Sequence, residues 1–233
     1  MSNKIQKVCT AEYLKPVQIT YQGTTYSPIT HKAVIDTIGE YLYKNNFIIK
    51  KENYLAASNG QRAIGRLAIE AGDSEFAYEL SWKNSTDGSM SFGLCSGVHT
   101  FICSNGSVYG DISGYKRKHS GEAAGQILFE IENTINQVEE TVKLHQERRA
   151  IMKEKEITKR TISELCGRLY LDNEIISSNQ LKIIKGEMEN PSYNYNCDGS
   201  VYQFYQFCTD AIPHCPHRTA SDPVIAPDTH WQR

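Results

Sequence analysis

The chain has 233 residues, 39% of them hydrophobic and 22% charged, which suits a folded protein with a sizeable core and excludes a disordered or fibrous one. A formal net charge of −2 excludes an overall basic scaffold, so any nucleic-acid contact must come from a local patch of cations. No stretch approaches the roughly 18 apolar residues of a membrane span. Met1–Leu14 lacks the apolar run of a signal peptide, so a cytoplasmic location without membrane contact is expected. The seven cysteines (Cys9, Cys95, Cys103, Cys166, Cys197, Cys208, Cys215) are odd in number and scattered, which argues for a reducing compartment and against a disulfide framework.

Residues 1–28 read as irregular, apart from an apolar/polar alternation at Val17–Tyr26 that fits a strand. Thr30 can cap a helix, and Val34, Ile35, Ile38, Leu42 and Tyr43 follow at helical spacing, which predicts a helix from Thr30 to Asn45. Phe47–Ala57 and Arg62–Ala71 flank Asn59-Gly60, a two-residue hairpin signal because both turn positions need positive φ. Glu75–Trp82 alternates through Phe76, Tyr78, Leu80 and Trp82. Ser89–Leu94 does the same after a turn at Asp87-Gly88. Gly97 marks a bend, and Val98–Ser104 and Ser107–Ile112 flank a second turn at Asn105-Gly106. The sum is an antiparallel meander of four to six strands.

From Gly121 to about Met188 the pattern is helical. Leu128, Ile131, Ile135, Val138 and Val142 recur at steps of 3, 4, 3 and 4, which fits a helix laid across the sheet or a short coiled coil. Ile162, Leu165 and Leu169 suggest a further helix, and Leu181, Ile184 and Met188 another. Val201, Tyr205, Cys208 and Ile212 mark a last short one before Pro213. The order predicts a single α+β domain, an antiparallel meander with an N-terminal helix and long C-terminal helices packed on the sheet. Its parts are an irregular segment 1–28, helix and meander 29–120, a helical region 121–189, and a helix and tail 190–233.

Three groups of residues carry chemistry. Tyr115-Lys116-Arg117-Lys118-His119 follows the last predicted strand and precedes the long helix. Its three fixed cations can neutralise phosphates, the ring can stack a base, and the helix amides beyond Ser120-Gly121 attract anions. A second basic group, Arg148 to Arg160, is interleaved with Glu147, Glu154 and Glu156 and reads as a salt-bridged helix face. A Cys/His group near the C-terminus offers Cys208, His214, Cys215 and His217 as zinc donors, at a spacing that matches no common finger or ribbon. His99 and Cys103 stand four residues apart on one strand, roughly 13 Å, too far for a nucleophile and its base. There is no phosphate-binding glycine loop, no nucleophile elbow and no metalloprotease helix, so no catalytic residue and no cofactor is assigned.

The run Trp82-Lys83-Asn84-Ser85-Thr86-Asp87-Gly88-Ser89, then Cys103-Ser104-Asn105-Gly106, Gly110-Asp111 and Lys118-His119-Ser120-Gly121, resembles a family of phage- and plasmid-encoded proteins catalogued as a domain of unknown function. Val201–Asp210 is similar to that family's C-terminal segment. The meander followed by a long helix is similar in outline to single-strand-annealing recombinases. That resemblance implies a basic groove holding single-stranded DNA, with Trp82, Lys83, Tyr115, Lys116, Arg117, Lys118 and His119 near it.

The expectation is therefore a non-enzymatic mobile-element protein that binds single-stranded nucleic acid and anneals it as a homo-oligomer in the host cytoplasm. The alternative is a phage protein that binds a host protein or small molecule, for instance to counter a defence system. In that case the polar turns at Asn84–Ser89 and Asn105-Gly106 would frame the contact surface.

Overall fold

The computed structural model describes residues 7–20, 23, 25–70, 72, 76–100, 109–173, 175–192 and 197–211. Cys103, the Asn105-Gly106 turn, and His214, Cys215 and His217 lie outside the described residues. The chain divides into two compact units, Met1–Val98 with Gly110–Val142, and His99–Tyr109 with Lys143–Arg233.

In the first unit, strand β1 (Lys7–Cys9) leads into a short helix α1 (Ala11–Leu14) and then α2 (His31–Lys44). Strands β2 (Ile49–Ala57), β3 (Arg62–Ile69), β4 (Phe76–Ser85), β5 (Phe92–Thr100) and β6 (Tyr109–Arg117) follow, then helix α3 (Ala123–Asn136) and the start of α4 (Val138–Glu154). The six strands lie in sequence order β1-β2-β3-β4-β5-β6 in one sheet. β1 with β2, β2 with β3, and β3 with β4 are antiparallel pairs.

Helix α2 forms where the apolar spacing predicts it. Thr30 Oγ1 accepts from the Ala33 amide at 3.1 Å, and Val34, Ile35, Ile38 and Leu42 are buried. Along β3 and β4 the pairs Ile69↔Tyr78, Leu67↔Leu80, Gly65↔Trp82 and Ala63↔Asn84 put one alternate set of side chains on a single face. That face shares a core with α2, with Ile127, Ile131 and Ile135 of α3, and with Val138 and Val142. The α3 stripe is thus spent against the sheet, as the helix-on-sheet reading has it.

Several local expectations are corrected. Val17–Thr20 is not a strand, and Tyr26 makes only an isolated bridge to Ser120. The β2–β3 connection is a four-residue loop, since Ala57 pairs with Arg62. Ser58, Asn59 and Gly60 all take positive φ there, at 52°, 58° and 89°. β5 runs unbroken through Gly97. β6 continues to Arg117, five residues past the predicted end at Ile112.

The second unit carries the rest of α4, then α5 (Lys159–Gly167) running into a π-helical turn at Arg168–Asp172, α6 (Ser178–Glu189) and α7 (Val201–Ala211). Ile162, Cys166, Ile184, Phe204, Phe207 and Ala211 form its own core, with Cys197 and Cys208 packed against it.

Candidate functional site

The β2–β3 loop, the β4–β5 turn, the exit of β6 and the first turn of α2 all fall at one end of the sheet. The antiparallel order requires this for the three strand ends.

At the β6 exit, burial alternates. Lys116 and Lys118 are exposed, Tyr115 and Arg117 are half-buried, and His119 is buried. Tyr115 leans into the core with its ring centroid 6.4 Å from that of Phe92. Lys116 and Lys118 therefore stand on one face, about 7 Å apart along the strand. Gly121, at φ 59°, turns the chain into α3, whose N-cap Glu122 makes no side-chain capping bond.

The other two residues singled out from the sequence lie elsewhere. Trp82 is 2% exposed, and its indole lies flat over Gly65, where an added Cβ would meet Nε1 at 2.3 Å. Its ring sits 6.2 Å from Tyr54 and 6.1 Å from His31. Lys83 is 6% exposed, its stem laid over Gly93 of β5. The structure thus gathers Tyr115 to His119 at one strand exit and holds Trp82 and Lys83 within the sheet.

Beside the β6 exit lies a buried polar cluster that sequence reasoning did not assemble. His31, the first residue of α2, donates from Nε2 to the Gly60 carbonyl at 2.9 Å. Its neutral ring therefore carries the proton on Nε2, and Nδ1 accepts from Asn84 Nδ2 at 3.1 Å. Asn84 Nδ2 also donates to the Ile29 carbonyl at 2.9 Å, so both amide hydrogens are used and the orientation of the side chain is fixed. Burial drives the His31 pKa down to about 4, against the opposing pull of the Gly60 and Gln61 backbone. Burial likewise lowers that of His119. The Tyr26 ring meets His119 edge-on at 5.4 Å, and the Tyr26 hydroxyl donates to the Ser85 carbonyl at 3.3 Å. The Ser27 amide donates to the His119 carbonyl at 2.9 Å.

Within this cluster Asn84 Oδ1, Thr86 Oγ1 and both ring nitrogens of His119 have no hydrogen-bond partner among the described residues. Asn84 and Thr86 are 0% exposed and His119 is 3% exposed. A buried polar atom without a partner costs about 1–3 kcal/mol, and native proteins hold few of them. Arg117 Nε and Trp82 Nε1 are likewise buried without a partner among the described residues. A signal for the cluster exists in the sequence. The core-facing alternation Tyr78, Leu80, Trp82 continues in Asn84 and Thr86, placing polar residues at interior positions.

For zinc, among the described residues no group of three or more His, Cys, Asp or Glu side chains could hold a metal. Cys208 packs in the second core, where burial and the neighbouring Cys166 push its pKa up to about 12. Nor is any helix among the described residues long and apolar enough to cross a membrane.

Fold and site define an α+β protein whose antiparallel meander carries a polar, partly basic end beside the helix that follows it. The chain belongs to the family described as Domain of unknown function (DUF932), whose model matches residues 19–232. No curated protein and no solved structure matches it.

Proposed function

We propose that the chain is a non-enzymatic binder of single-stranded nucleic acid, a mobile-element protein that anneals strands as a homo-oligomer. The observation that carries this reading is the exit of β6, where Lys116 and Lys118 are exposed on one face directly ahead of the α3 N-terminus. Two cations so placed can neutralise successive phosphates of an extended strand. The half-buried Tyr115, packed against Phe92, anchors the β6 backbone beneath them. Trp82 plays no stacking part in this reading, because its indole is interior.

The test is fluorescence anisotropy of a labelled single strand of about 30 nucleotides, at low and at physiological salt, against the matching duplex. Binding that favours the single strand, falls as salt rises and is lost in Lys116→Glu/Lys118→Glu is the expected result. Equal binding by the parent and that double variant removes the site assignment. No binding at low salt removes the reading altogether and favours a host-protein or small-molecule partner.

A further inference from the structure

We infer that the buried cluster of Asn84, Thr86 and His119 is a binding site for the hydrogen-bonding edge of a nucleobase. The inference goes beyond strand binding, because a free nucleoside offers the same edge as a base in a strand.

The donors and acceptors set the ligand class. With both amide hydrogens of Asn84 committed to Ile29 and His31, its Oδ1 can only accept, so the ligand must supply an N–H or O–H there. The Thr86 hydroxyl and the neutral ring of His119 each offer one donor and one acceptor function. The matching partner is a small neutral group with a donor beside an acceptor, which is what a purine or pyrimidine edge presents.

Besides His119, the charge acting on His31 is the Asp87 carboxylate. That carboxylate is itself taken up by the Ser89 amide and hydroxyl and by Arg62 at 3.3 Å, so it is not left for a cation. The Tyr26 ring, edge-on to His119, supplies an aromatic wall of the kind on which bases stack.

The experiment is isothermal titration of the full chain with adenosine, cytidine, guanosine and uridine, on the parent and on Thr86→Val and His119→Phe. Thr86→Val keeps side-chain shape, His119→Phe keeps a ring beside Tyr26, and each removes only hydrogen-bonding atoms without a protein partner among the described residues. Thr86→Val is expected to melt at or above the parent temperature, since it deletes an unsatisfied buried hydroxyl. The parent is expected to bind at least one nucleoside at millimolar concentration or tighter, and each variant to weaken it about fivefold or more.

The Lys116→Glu/Lys118→Glu chain should keep nucleoside binding while losing strands, which separates this site from the strand reading. If Thr86→Val weakens strand and nucleoside together, the base comes from the strand; if it weakens the nucleoside alone, the ligand is free. No heat with any of the four nucleosides, or parent-like binding by both variants, overturns the inference even where strands bind.

Discussion

Gly65 is a position at which one added carbon has nowhere to go. A Cβ there would lie 2.3 Å from Trp82 Nε1 and 2.4 Å from Cε2, and the indole is wedged between Tyr54 and His31. Overpacking of a filled core costs typically 1–3 kcal/mol, so Gly65→Ala should lower the denaturation midpoint by about that free energy with an unchanged m-value. Trp82→Phe should recover part of the loss in the double variant. Simple additivity of the two single changes would mean the indole does not rest on Gly65.

His31 carries the second residue-scale prediction. Its folded pKa of about 4 lies below the 6.5 of a free imidazole, so the unfolded chain binds more protons between those values. Stability from this group is full above pH 6.5 and falls as pH drops through the window to about 4. The loss is roughly 3 kcal/mol, at 1.36 kcal/mol per unit. The groups acting on the ring from neighbouring elements are Asp87, which favours the charged form, and His119, which opposes it and is itself shifted down by burial. Urea unfolding at pH 7.5, 6.0 and 4.5 should show a steady fall. A flat profile would contradict a neutral, interior His31.

The start of α2 was legible, because its cap is written in one side chain, Thr30; the cap of α6 at Ser177 was not read. Thr30 and Ser177 both accept from the backbone of the third residue on, and Gln180 returns the bond to the Ser177 amide at 2.8 Å. Gln180 also donates to the Ala211 carbonyl at 3.2 Å, which ties the first turn of α6 to the end of α7. Ser177→Ala should therefore cost about 1 kcal/mol. Gln180→Ala should cost more, because it also leaves a buried carbonyl without its donor. Equal losses in thermal melts would show that the link to α7 contributes nothing.

Other elements left weaker traces. A three-residue strand and a four-residue helix, β1 and α1, are too short to show a period. The break at Gln137 is hidden because Ile135 and Val138 continue the apolar stripe across it. β6 looked finished at Ile112 because Ser113-Gly114 follows it and Lys116 and Lys118 interrupt the alternation of Tyr115, Arg117 and His119. The site was half legible. The basic run shows in any linear reading, whereas Asn84 meets His31, and Tyr26 meets His119, only once the strand ends are stacked.

At the scale of the whole molecule, a net charge of −2 offers a nucleic-acid strand no general attraction. In the second basic group two cations have partners within the second unit. Lys153 lies over the Tyr202 ring at 5.3 Å, and Arg160 pairs with Glu164 at 3.1 Å. Strand binding should then rest on the two or three cations at the β6 exit. For single strands the slope of log affinity against log salt is about −0.7 per phosphate neutralised, which gives a parent slope of about −1.4 to −2.1. Lys116→Ala should flatten it by roughly one phosphate's worth and weaken all sequences alike. A parent slope steeper than about −4 would need six or more phosphate contacts, more than this exit can supply. The binding face would then have to include cations beyond the β6 exit, and the site proposed at Lys116 and Lys118 would be at most one edge of it.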